Sequence, residues 1–504
     1  MDRAVLLILL FQISVNVATP DYGIPNAVFG TARVLSSVAD ASSYLDTLAV
    51  SGLVPASITQ TAFNLSNIVQ ILQQAGTNVS RDGNNVANAI STLAQSTSAD
   101  PATLFDNATQ SVQNALDHIA QLLPTTNSRL SALMGNNVPG RLTDGFTRIE
   151  IRLKTLQTQL GTLKTAIMTA VADAGTETPI PTEILRKHIT LKKVYDVLEA
   201  ARKLRAYLPV VRYTLNSSLE DAVEADRYLN EYSGMLASLD SLVAIVLQPL
   251  NVAKKGYYSV FKGGVQGLAA SYTSVKELTL SLAVNSVNES GALIATMLGK
   301  FTTTLADVDG DAATLDTQLQ TYLDAIKTMV QISDPAFLSV TESKLIGALI
   351  HALIDSGPYS RYCFQKYKDL VTDLLNYLLE ESSICIDREI PRLGNLAPAV
   401  QSILDVNAFD FEDIYDWLTI CDELQEPINQ SECVKRITQS YTTLGGYFAD
   451  KYDLLYDLTS VEVNASKKRV KICIDLSRRW LSDGYIKNLQ TSIEQCTLKG
   501  PTAV

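Results

Sequence analysis

The sequence predicts an all-α protein: helical bundles, one coiled-coil-like long helix, and a C-terminal four-helix module stapled by disulfides. Apolar residues recur at steps of three and four along most of the 504 residues, and no convincing alternating strand pattern appears. One stretch keeps a seam of 3.5-residue period over about four heptads. All six cysteines lie between Cys363 and Cys496.

Arg3, the apolar run from Ala4 to Phe11 and the small residue Ala18 predict a secretory signal over 1–18. That apolar core falls short of the ~20 residues needed to span a bilayer. From Thr19 to Gly140 the chain is rich in Ala, Ser, Thr, Asn and Gln, with short stripes such as Ile68, Leu72, Ala75 and Val79, then Val112, Leu116, Ile119 and Leu123. Gly83, Pro101, Pro124 and Pro139 punctuate it, which predicts short helices with polar turns. Next, Leu142, Phe146, Ile149, Leu153, Leu156, Leu160, Leu163, Ile167 and Ala170 form the heptad seam. The period does not name the partner: the helix docks within its own bundle, or self-associates with a second copy through 142–170.

The stretch 174–183 is the best linker candidate. After it, Leu191, Val194, Leu198, Ala201, Leu204 and Leu208 predict a helix whose back carries Lys192, Lys193, Arg202, Lys203 and Arg205, read as a solvated face. Tyr232, Leu236, Leu239, Val243, Val246 and Leu250 repeat the four-three spacing. The apolar run there is interrupted by Asp240 and Pro249, so no transmembrane anchoring is expected. Helical patterns continue to Asp334-Pro335, and a last apolar helix ends near Pro358. The expected domains are therefore a signal peptide over 1–18, a region with the heptad helix over 19–175, a second helical region over 184–355, and a cysteine-framed domain over 358–497.

Between Cys363 and Cys385 there is no Gly or Pro, and Tyr367, Leu370, Val371, Leu374, Leu378 and Leu379 share one stripe. At ~1.5 Å rise per residue the two sulfurs stand roughly 33 Å apart, against a Cα separation of about 7 Å at most for a bridged pair. They cannot bond each other. Further helices are expected near 397–422, 431–457 and 466–496, with Pro391, Pro398 and Pro427 at or near the breaks. Short connections imply antiparallel neighbours, which leaves Cys473 as the partner of Cys385. The other four sulfurs share the opposite end, where three pairings are open; the nested scheme, Cys363 with Cys496 and Cys421 with Cys433, is favoured. A zinc site is disfavoured, since no CxxC spacing occurs and all three histidines lie elsewhere.

The cysteine order, the WLTIC motif ending at Cys421, the SEC step ending at Cys433, and the close CIDLSRRWLSDGYIKNLQTSIEQC with Tyr485 midway resemble the TsetseEP-type domain of secreted insect proteins. The resemblance covers about the last quarter of the chain. It implies an insect extracellular protein with a midgut setting, and it brings no catalytic residues with it.

Seven N-x-Ser/Thr sequons, at Asn64, Asn78, Asn107, Asn216, Asn288, Asn429 and Asn464, predict N-glycosylation. Asn429 and Asn464 fall in expected loops. The net charge of -12 argues against nucleic acid as a partner. Asp307, Asp309 and Asp311 occupy calcium-loop positions one, three and five, but Ala312 and Gln318 stand where that loop needs Gly and Glu. A polar turn capping a helix is expected instead. Asp410, Glu412, Asp413 and Asp416 read as a solvated acidic face. GGVQG at 263–267 lacks the Lys of a phosphate loop, and His118, His188 and His351 lie singly on different helices.

No catalytic residue, cofactor site or metal site is therefore expected. The first functional expectation is a secreted, glycosylated protein acting in interaction or structure, its crosslinked module resisting proteases by keeping locally open states rare. The alternative is carriage of a lipid or another apolar ligand in a cavity between helices. A hydrolase with spatially assembled residues ranks last.

Overall fold

A computed structural model describes residues 21–332 and 339–502. The expected signal segment and the break at Asp334-Pro335 lie outside those residues. Among the described residues the protein is all-helical, and the only extended pairing is a single bridge between Asp21 and Ile24. The helices are α1 (Thr31–Asp46), α2 (Leu65–Gln95), α3 (Pro101–Met134), α4 (Asn137–Ala174), α5 (Thr182–His188), α6 (Leu191–Arg205) and α7 (Leu208–Leu280). They continue as α8 (Asn288–Val330), α9 (Lys344–Ile354), α10 (Ser360–Asp387), α11 (Ile390–Asp422), α12 (Pro427–Trp480) and α13 (Lys487–Lys499).

These helices form two compact units from separated stretches, where the sequence suggested consecutive domains. Unit 1 takes the described parts of 1–233, 339–371 and 489–504; unit 2 takes those of 234–338 and 372–488. The candidate linker 174–183 lies inside unit 1. It is pinned there, because Asn26 donates to the Ile180 carbonyl at 3.0 Å and accepts from the Ile180 amide at 2.9 Å.

In unit 1, Asp100 caps α3 by accepting from the Thr103 amide at 3.2 Å, with Pro101 in the first turn where its missing N–H costs nothing. The heptad seam forms the buried face of α4, and α4 packs on α3 and α6. The seam is thus consumed inside the unit. A buried acid holds the connection between α9 and α10 to α7. Asp221 is 2 % exposed, receives Arg361 Nε at 2.6 Å and pairs with the Ser356 hydroxyl. Arg361 also reaches Glu220 at 2.8 Å, and Arg141 donates to the Ser356 carbonyl at 2.5 Å. Burial pushes the Asp221 carboxyl above its usual range, while Ser356 and Arg361 pull the other way.

Unit 2 is a bundle of α7 from residue 234, α8, α11 and α12. Hydrogen bonds join Tyr257 to Thr459 at 2.6 Å, Tyr322 to Ser466 at 2.8 Å and Asn407 to Tyr452 at 3.2 Å. At its centre Tyr272, Phe301, Phe411, Phe448 and Tyr452 form a cluster with ring centroids 4.8–6.2 Å apart. Tilted and edge-on pairs of this kind add stabilisation beyond the area they bury. Arg478 donates to the carbonyls of Met329 and Gln331 at 2.6 and 3.1 Å, closing the end of α8.

Several expected breaks are helix interior. α7 runs through Asp240 and Pro249, both exposed, so the stretch Leu191–Leu280 is by length and composition alone long and apolar enough to cross a membrane; its most apolar window is 17 % buried. The 263–267 glycine run lies within α7 because Gly264 faces α11, where a Cβ would stand 2.3 Å from a Leu404 methyl. The calcium-like stretch 307–318 lies within α8 and makes no turn. The third and fourth helices of the cysteine module are expected to part at 457–466, yet α12 passes through and changes only at a π-helical turn, Leu481–Ile486. The cause is that Thr459 and Ser466, polar in type, are buried in line with Leu455, Val463, Val470 and Ile474. Asn464 therefore sits mid-helix and Asn429 in the first turn of α12.

Three disulfides join Cys363 to Cys496, Cys385 to Cys473 and Cys421 to Cys433, with Cα separations of 5.8, 5.8 and 5.6 Å. These are the favoured pairs, and they point to an oxidising environment.

Two outcomes follow for stability. The pair Cys385→Ser/Cys473→Ser, which opens a loop of 88 residues, is expected to cost about 4–5 kcal/mol, and Cys421→Ser/Cys433→Ser, which opens one of 12, about 3 kcal/mol. Urea titrations under non-reducing conditions read that order. Asp221 binds its proton more tightly folded than unfolded, so its contribution is fullest below the unfolded value of about 3.9 and is lost as pH rises through the raised folded value. The melting temperature of the wild type relative to Asp221→Asn should accordingly fall across that window; a flat difference would refute the assignment.

Candidate apolar cavity

Helices α1, α2, α3, α4 and α6 of unit 1 pack in a closed cycle, each against the next and α6 back against α1. Inside that ring lies a cavity of about 90 Å³. Every helix supplies wall: Val38 and Leu45 from α1, Val86 and Ile90 from α2, Ala115 and Ile119 from α3, Ile149 and Leu153 from α4, and Ala201 and Leu204 from α6. Small residues keep the centre clear, notably Ala75 and Ala87 on α2 and Ala115 on α3. The apolar part of this lining offers water few hydrogen bonds, which suits it to an apolar guest.

The opening lies along the second half of α3. Ile119, Leu122, Leu123 and Thr126 line the cavity yet are only half-buried, as are Val79, Phe146 and Leu204. Pro124 sits in the same stretch and gives the Ala120 carbonyl no amide partner. The sequence suggested that Pro124 and Gly83 end helices; both lie inside them.

The polar lining is confined to α2 and α3: Asn78, Asp82, His118 and Thr126. His118 Nδ1 meets the Asp82 carboxylate, Arg81 Nε donates to Asp82 at 3.0 Å, and Arg81 Nη2 stands 3.1 Å from His118 Nδ1. This clasp ties α2 to α3 across the wall. It gives the cavity one polar side suited to hydrogen-bonding the head of an otherwise apolar molecule.

The other residues singled out from sequence do not converge on this site. His188 pairs with Asp173 at 2.8 Å, and His351 lies edge-on to Phe63. Asp410, Glu412, Asp413 and Asp416 lie along α11, with Glu412, Asp413 and Asp416 exposed and Asp410 3.7 Å from Lys451. Burial pushes the nearby Tyr441 hydroxyl up to about 12, with Asp413, Asp410 and Asp416 adding to the effect. Of the sequon asparagines, Asn64, Asn107, Asn288, Asn429 and Asn464 are exposed, whereas Asn78 and Asn216 are half-buried. Asn216 also accepts from the Val54 amide at 3.1 Å, and Asn78 lines the cavity.

Two glycines on α2 let α1 and the segment just after it approach closely. A Cβ on Gly83 would stand 2.4 Å from a Leu45 methyl, and one on Gly76 would stand 2.4 Å from the Leu48 main-chain oxygen. A main-chain oxygen cannot swing aside. Gly76→Ala is expected to lower stability by about 1–3 kcal/mol despite the better helix propensity of alanine. Gly161→Ala, at an exposed position of α4 with nothing within 4 Å of its Cβ, should raise it by about 1 kcal/mol, as thermal melts of both variants will show. No protein-family model, curated protein or solved structure matches the chain.

Proposed function

We propose that the protein binds an apolar, chain-like molecule within the five-helix ring of unit 1 and acts as a secreted carrier. One observation supports this above the others: a cavity walled by all five helices, apolar except along α2 and α3. A guest would cover wall residues that are half-open to water, and each apolar Å² so covered is worth roughly 25 cal/mol. The small volume, about 90 Å³, favours a single chain over a fused-ring compound. The Asp82–His118 clasp would receive its polar end.

The secreted setting is supported by the apolar segment after Arg3, by three disulfides and by the exposed sequon asparagines. The likeness of the cysteine spacing to TsetseEP-type domains agrees with it.

The test uses cis-parinaric acid, a single-chain fluorescent fatty acid, together with mass spectrometry of organic extracts of the purified protein. Binding with enhanced fluorescence is expected, competed by single-chain lipids. Ala87→Phe and Ala115→Phe, which place a ring in the cavity, should weaken binding at least about tenfold while keeping the helical circular dichroism signal. Undiminished binding in both variants, or no binding by the wild type, would overturn the proposal.

A further inference from the structure

The outer faces of α1 and α6 carry a second feature, separate from the cavity. Ala201 and Leu204 look into the ring; Arg202 and Arg205, one residue further along, line an open cleft on the outside with Arg33, Ser36 and Ser37 of α1. From sequence, Arg202 and Arg205 belong with Lys192, Lys193 and Lys203 to one solvated basic back. The structure splits that group. Lys192 pairs with Asp196 at 2.7 Å and Lys203 with Glu199 at 3.0 Å, each one turn along the same helix, and Lys193 donates to the His188 carbonyl.

The three arginines are held differently. Arg33 contacts the Tyr195 hydroxyl and lies over that ring, with its guanidinium carbon 5.6 Å from the centroid. Arg205 lies over the Tyr44 ring at the same distance, and Arg202 Nε donates to the Ser37 hydroxyl at 3.3 Å. Among the described residues none of the three has a carboxylate within 4 Å, and Asp40 is the one acid in the cleft wall. Neutral groups therefore fix the guanidinium planes without cancelling their charge. This occurs in a chain whose acids outnumber its bases by 53 to 41.

We propose that this cleft binds a tetrahedral oxyanion, the phosphate or sulfate group of a small molecule or lipid. The chemistry fits: a planar guanidinium presents paired N–H donors matching two oxygens of such a group, and charge-assisted bonds of this kind are about twice as strong as neutral ones. Tyr195 and Tyr44 hold the forks of Arg33 and Arg205, and the Ser37 hydroxyl that of Arg202, in place before the anion arrives, which lowers the ordering cost of binding. The Ser36 and Ser37 hydroxyls complete the donor set. The site is independent of the cavity reading, since its groups lie on the opposite faces of α1 and α6.

The experiment titrates the whole protein with sodium phosphate and with sodium sulfate by calorimetry, against sodium chloride at equal ionic strength. A parallel arm measures co-sedimentation with phosphatidylcholine vesicles, with and without phosphatidic acid. Saturable binding of phosphate or sulfate is expected, at least about tenfold weaker in Arg202→Ala/Arg205→Ala and unchanged in Lys203→Ala. Additional capture by phosphatidic acid vesicles, lost in the double variant, identifies a lipid headgroup as the source; binding of the free ions alone identifies a soluble one. Should the double variant melt early, Arg33→Gln serves in its place. Absence of saturable binding in both arms, or equal affinity in wild type and arginine variants, overturns the proposal.

Discussion

Five helices packed in a ring cannot fill their own centre, and the design of unit 1 follows from that constraint. Neighbouring helices lie ~8–10 Å apart, which in a five-membered cycle sets each axis ~7–8.5 Å from the middle. A helix with its side chains reaches only ~5–6 Å. The difference is a narrow channel unless large residues are aimed into it. Here inward positions of α2 and α3 are held by Ala75, Ala87 and Ala115, so the gap persists. A core of ordinary density would have closed it.

The same helices must present two unlike faces. On α6, Ala201 and Leu204 belong to the interior and Arg202 and Arg205 to the surface; on α1, Val38 and Ala41 face in while Arg33 and Ser36 face out. The glycines of α2 bring α1 close enough to seal its side of the ring, and the Asp82–His118 contact does so between α2 and α3. Polar fastenings thus sit at the joints, and the apolar surface is left for the interior.

Much of the architecture was legible from spacing. The α4 seam, the helix that keeps Cys363 from Cys385, and Cys473 as the partner of Cys385 follow from helical rise and period. The pairing of the other four cysteines did not, and they do not share one end, since the bridge from Cys363 to Cys496 lies in unit 1 and that from Cys421 to Cys433 in unit 2. What escaped was hidden where residue type and environment disagree. Thr459 and Ser466 occupy core positions of α12 because tyrosines on facing helices satisfy their hydroxyls, so the stripe looks broken when only apolar letters are counted. Gly83 read as a breaker, yet it marks close approach by a neighbouring helix, as Gly264 does in unit 2. The cavity had no signature of its own, since a short stripe such as Val79 or Ile119 has the same period whether it meets a partner or an empty space.

The tyrosine contacts of unit 2 have one more consequence. Long helices with heptad-like seams are able to slide past one another by seven residues, ~10.5 Å, and still bury similar apolar area. Such a slip would strand the hydroxyls of Tyr257, Tyr322 and Tyr452 together, each in a dry interior where an unmet polar group is costly. Three modest bonds, weak as sources of strength, therefore act as a vernier that admits one alignment of the bundle and rejects its near-degenerate neighbours.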